Sequence, residues 1–111
     1  MQWKDLIEID QINNIKEASG YSVIFKHSTR CSTSAMVLSR LERSWNATEA
    51  GDLKPYYLDL IAYRPVSNKI QDDFYVQHES PQALVIKNGH CVYNASHIDI
   101  SYKEILELAK Q

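Results

Sequence analysis

The chain has 111 residues, enough for one domain with a single buried core, and 44% apolar with 23% charged residues is the balance of an ordinary globular protein. A formal charge of −2 offers no basic surface for nucleic acid or an anionic membrane. Two cysteines make no disulfide framework, no apolar run reaches the roughly 18 residues of a membrane span, and Met1-Gln2-Trp3-Lys4-Asp5 has no apolar signal-peptide core, so a reducing, cytoplasmic setting is expected.

Taken in order, Trp3 to Ile9 reads as a short strand with Leu6 and Ile7 as its apolar residues. Asp10 then caps a helix with Ile12, Ile15 and Ala18 on one face, stopped by Gly20. Tyr21 to Lys26 is a buried strand with Val23-Ile24-Phe25 at its centre. From Ser32 to Trp45, Val37, Leu38, Leu41 and Trp45 recur at helical spacing. Asn46 to Lys54 is expected to be a loop, and Tyr56 to Ile61 a second buried strand. Pro65 suits the first turn of a helix carrying Val66, Ile70 and Phe74.

The last third carries the sharpest local signals. Asn88-Gly89 is a favoured two-residue hairpin turn joining Ala83–Ile86 to Cys91–Tyr93. Ser101-Tyr102-Lys103-Glu104 is a capping box opening a final helix with Ile105, Leu106, Leu108 and Ala109. The order is then β-α-β-α-β-α-β-β-α. That predicts an α/β domain spanning residues 1–111, a mixed central sheet with helices on both faces, in thioredoxin-like topology.

Cys31 stands where the second strand hands over to a helix. Backbone N–H groups are unpaired there and carry partial positive charge, which favours a thiolate. Where a dithiol oxidoreductase has its second cysteine, three residues on, this chain has Ser34. Its hydroxyl is expected to donate to the Cys31 sulfur, and Arg30 adds positive charge or meets a carboxylate of a small thiol. Ser80-Pro81 precedes the hairpin, where thioredoxin-fold proteins carry a cis-proline facing the reactive cysteine; the alternative is a trans proline ending a loop before an edge strand. The candidate site is Cys31 and Ser34 for catalysis, with Arg30, Ser32, Thr33, Ser80 and Pro81 meeting substrate.

Cys91 follows the hairpin turn, at the far end from Pro81. Seven strand residues span about 23 Å, whereas a disulfide needs Cα atoms within about 7 Å, so Cys91 is expected to be a half-buried strand residue rather than a resolving thiol. Six residues before Cys31, where thioredoxins keep a buried acid, stands Phe25. His27, on the same strand face as Phe25, is either a proton handler or a packing histidine. His78, His90, Cys91 and His97 have no zinc spacing, so no metal site is expected from them.

Phe25-Lys26-His27-Ser28-Thr29-Arg30-Cys31-x-x-Ser34, Tyr57-Leu58-Asp59, Arg64-Pro65-Val66-Ser67-Asn68, His78-Glu79-Ser80-Pro81-Gln82-Ala83, Lys87-Asn88-Gly89 and Ala95-Ser96-His97 together resemble the YtxJ-like monothiol bacilliredoxins. The resemblance runs from about Trp3 into the last helix. Ser32-Thr33 departs from the Pro-Ile of better-known members. It implies a thioredoxin-like fold and removal of bacillithiol from protein mixed disulfides, with the small thiol as co-substrate and no tightly bound cofactor. S-thiolated proteins are the implied partners of a monomer. A second class is a non-enzymatic thioredoxin-like module that binds a protein partner or carries a 2Fe–2S cluster through Cys31.

Overall fold

The structure is a computed structural model and describes residues 1–110. Five strands form one sheet: β1 (Lys4–Asp5), β2 (Tyr21–His27), β3 (Lys54–Asp59), β4 (Gln82–Lys87) and β5 (His90–Ser96). Their spatial order is β1-β3-β2-β4-β5, with β1, β3 and β2 parallel and β4 and β5 antiparallel to their neighbours. The helices are α1 (Asp10–Glu17), α2 (Ser32–Ser44), α3 (Ala47–Ala50), α4 (Arg64–Phe74) and α5 (Tyr102–Ala109), with a 3-10 turn at His97–Asp99.

Strand alternation divides the core in two. Ile24, Tyr56, Leu58, Leu84 and Ile86 face α1 and α4, meeting Ile12, Ile15, Val66, Ile70 and Phe74. Val23, Phe25, Ala83 and Val85 face the other way, onto Val37 and Leu41 of α2 and Ile105 of α5. Helices thus cover both faces of a mixed sheet, as the element order implies.

Several boundaries differ from the sequence reading, each for a local reason. The first strand is only Lys4–Asp5; Leu6 is buried, but Ile7 and Ile9 are exposed. Asp10 is not the cap of α1: Ile9 holds that position with no side-chain bond, and the Gln11 Oε1 accepts the N–H groups of Ile7 and Glu8 instead. α1 ends at Glu17, leaving Ala18 extended beyond the helix. Residues 46–54 are not all loop, because the Asn46 side chain accepts from the N–H groups of Thr48 and Glu49 and starts the single turn α3. β3 begins and ends two residues earlier than read. Beyond Asp59 the chain turns: its carboxylate accepts the Ala62 N–H, and the Leu60 N–H reaches back to the His27 carbonyl.

The β4–β5 ladder slips between Val85 and Ile86. A one-residue slip exchanges the faces of a strand. Cys91 accordingly packs against the α1–α4 side of the core, while Tyr93 and Ala95 pack against the α2–α5 side.

Candidate active site

The parallel strands β2 and β3 end together, with His27 paired to Asp59. Ser28, Thr29 and Arg30 turn the chain, and the Cys31 N–H donates to the Ser28 carbonyl at 3.2 Å. Cys31 is extended (φ −113°, ψ 118°), and its carbonyl accepts the Ala35 N–H at 3.1 Å, making it the N-cap of α2. The thiol is half-exposed and free, and it makes no capping bond to the first turn.

Ser34 is fully buried. Its Oγ accepts the Ser28 N–H at 3.1 Å and lies 2.7 Å from Nδ1 of His27. The expected bond from Ser34 to the sulfur is not formed in the structure, where the partners of the hydroxyl oxygen are these two groups at the strand end. His27 is itself buried, against Phe25 (6.3 Å between ring centroids) and Tyr57 (5.6 Å). Burial pushes its pKa below the ordinary histidine range, against the opposing pull of Asp59 and Glu42. Phe25 occupies the expected place, wholly buried on the same face.

Pro81 approaches from β4. Lys26 pairs with Gln82, so Pro81 lies at the end of the sheet from which Cys31 emerges. The Ser80–Pro81 bond is cis. The Pro81 carbonyl accepts the His97 N–H at 2.9 Å, tying the loop to the end of β5. The buried Gln82 amide secures the loop from behind, its Nε2 donating to the Gln77 carbonyl at 2.9 Å and its Oε1 accepting the Glu79 N–H at 3.4 Å. The Ser80 hydroxyl is buried and finds no hydrogen-bond partner among the described residues. Arg30, Ser32 and Thr33 are exposed around the thiol.

Cys91 pairs with Ile86, five residues along β4 from Pro81 and so about 17 Å away along the strand. Its thiol donates to the Tyr93 carbonyl, and burial pushes its pKa up. Both cysteines are free. No cluster of three or more His, Cys, Asp or Glu side chains suited to a metal ion occurs among the described residues.

One group beside the site escaped the sequence reading. Lys26 is completely buried on the face opposite His27. Its Nζ donates to the Ser67 carbonyl at 3.3 Å and lies 3.4 Å from Nδ1 of His78. Burial lowers its pKa to about 8. Strand parity from Ile24 would have directed Lys26 inward, but a lysine read alone is assigned to solvent.

The half-exposed thiol at a helix start, the serine three residues on and the cis-proline loop on a mixed sheet define a thioredoxin-fold protein with a single candidate cysteine at that end of the sheet. Residues 4–105 match the family model described as Monothiol bacilliredoxin BrxC, and the chain belongs to that family. A solved structure assigned provisionally as an oxidoreductase with a thioredoxin fold is 33% identical, covering 96% of this chain and 92% of its own, with a TM-score of 0.80. The thioredoxin of Malassezia sympodialis is 14% identical (99% and 92% covered, TM-score 0.82), and that of Trypanosoma brucei brucei 13% identical (99% and 93%, TM-score 0.79). These last two share the fold. Family and fold together place the chain among thiol oxidoreductases. Among the described residues no helix is long and apolar enough to cross a membrane.

Proposed function

We propose that this protein removes a low-molecular-weight thiol, bacillithiol, from protein mixed disulfides through Cys31. The observation that carries the reading is the isolation of that sulfur. Ser34 stands in the resolving position with its hydroxyl bound to His27 and Ser28, and Cys91 is at the other end of the hairpin.

The Cys31 thiolate attacks the bacillithiol sulfur of the adduct. The old S–S bond breaks, the target protein leaves as its thiolate, and Cys31 carries the small thiol. A second bacillithiol thiolate then attacks that bond at the small-thiol sulfur, releasing the Cys31 thiolate and oxidised bacillithiol. Electrons balance through two exchanges, with the small thiol as the reductant.

Arg30, Ser32 and Thr33, exposed beside the thiol, and the Ser80–Pro81 loop contact the substrate. The protein works as a cytoplasmic monomer with no tightly bound cofactor, its partners being S-thiolated proteins and the small thiol.

The test presents a bacillithiol-modified protein to wild type and to Cys31→Ala. Wild type frees the target and Cys31→Ala does not. Failure of both to free it ends the enzymatic reading. Equal release from glutathione adducts ends the bacillithiol assignment alone. A visible iron–sulfur absorption in anaerobically purified protein would favour a cluster-carrying module instead.

A further inference from the structure

We propose that His27 is the positioning residue of this site, and that the hydrogen on its Nδ1 sets whether the Ser34 hydroxyl presents its own hydrogen to the Cys31 sulfur. The proposal rests on Cys31 being the reactive thiol of the function proposed above.

Hydrogen-bond capacity links His27 to the hydroxyl of Ser34. A serine hydroxyl has one hydrogen and two lone pairs. The Ser28 N–H can only donate, so it fills one lone pair of Ser34. One lone pair and the hydrogen remain, and the 2.7 Å contact with Nδ1 must use one of them. If Nδ1 is bare, Ser34 donates to it, and the remaining lone pair is repelled by a thiolate. If Nδ1 carries hydrogen, it donates to Ser34, both lone pairs are filled, and the hydroxyl hydrogen is left free. Cys31 is the N-cap and Ser34 the third residue of α2, the two positions whose side chain and backbone meet in a capping box. The sulfur is then the acceptor that this hydrogen can serve.

The surroundings of the imidazole are fixed. Asp59 and Tyr57 face it from β3, Glu42 acts from α2, and Phe25 packs beside it on its own strand. Burial outweighs the two carboxylates and keeps the ring in its neutral form, so the choice is between tautomers. In the thiolate state the Nδ1–H tautomer is favoured, because it alone aims a donor at the charge. The same bond matters in the second exchange, when Cys31 departs as a thiolate from the small-thiol sulfur. A hydrogen bond to that leaving sulfur speeds its release.

The experiment measures alkylation of Cys31 by iodoacetamide against pH, which requires no disulfide substrate. His27→Phe and Ser34→Ala should each slow the reaction about ten-fold near pH 7, the loss of one charge-assisted hydrogen bond, with little change in the alkaline plateau. His27→Asn, whose amide can donate to Ser34, should recover most of the rate. The double variant His27→Phe/Ser34→Ala should be no slower than either single one. Wild-type kinetics in a folded His27→Phe protein, or additive losses, would overturn the proposal. If His27→Phe does not fold, nitrogen-15 NMR of the wild-type thiolate form decides: hydrogen on Nδ1 supports the proposal, and hydrogen on Nε2 alone refutes it. Normal alkylation effects without release of bacillithiol would sink the proposed function and leave the His27–Ser34 relationship standing.

Discussion

Lys26 Nζ and His78 Nδ1 stand 3.4 Å apart inside the protein, and no carboxylate lies within ion-pair distance of either among the described residues. A completely buried lysine without a counter-ion is held by one backbone carbonyl, that of Ser67, and by an imidazole. Such a group destabilises the folded chain whenever it is charged.

The pH dependence has a definite sign. The Lys26 pKa falls from 10.5 to about 8 on folding, so between those values the unfolded chain binds more protons. Stability therefore rises with pH through that window, and the penalty is complete below it. Lys26→Met should stabilise the protein at pH 7 by about 1–3 kcal/mol, less at alkaline pH. Urea unfolding at neutral pH and near pH 10.5 measures this, and an equal effect at both would contradict the assignment.

His78 acts at the other end of the scale. Burial, with Lys26 and Arg64 adding to it, holds its pKa below the ordinary value of 6.5. The unfolded histidine takes up a proton before the folded one, so stability is lost as pH falls below about 6.5. His78→Gln retains the backbone N–H that donates to Gln71 and removes the titration. The melting temperature of this variant should fall less between pH 7.5 and 5.5 than that of wild type; parallel profiles would rule the contribution out.

Asn46 offers a purely structural test. Its Oδ1 accepts two N–H groups at the start of α3, at 3.0 Å and 3.1 Å. Asn46→Ala should cost about 1 kcal/mol, and Asn46→Asp should cost little. Chemical unfolding reads both, and the alkylation rate of Cys31 should stay at the wild-type value.

The two cysteines should separate cleanly under oxidation. Cys31 is half-exposed at a helix start, while Cys91 is half-buried, bonded to Tyr93 and held toward its thiol form. After mild oxidation with a small thiol, mass spectrometry should find one adduct, on Cys31. Cys91→Ser should leave that loading unchanged, and substantial modification of Cys91 would refute the distinction.

Local chemistry explains which parts of the molecule were legible in sequence. Asn88-Gly89 adopts positive φ at both residues, and the Ser101 side chain accepts the Glu104 N–H; both features are written within a few neighbouring residues. Val66, Ile70 and Phe74 are all buried, as their spacing on one helix face requires. Asn46 carried a readable signal too, a cap residue with glutamate three positions on, but Gly51 and the shortness of the turn concealed it. The site was legible only as far as the order of its elements. Cys31 and Pro81 follow from topology. The destination of the Ser34 hydroxyl does not, because it depends on how α2 packs back onto the last residue of β2. Lys26 was hidden for a related reason: its environment is made by Ser67 and His78, far away in the chain.

Placing Cys91 at the remote end of the hairpin has a kinetic consequence. Under the proposed chemistry, a loaded Cys31 has no unimolecular route back to the thiol. Its lifetime scales inversely with the concentration of free small thiol outside the protein. Ample thiol keeps the population empty and turning over, whereas depletion leaves it occupied and idle. The fraction of loaded molecules then becomes a running gauge of the surrounding thiol pool, a behaviour that a cysteine in place of Ser34 would abolish.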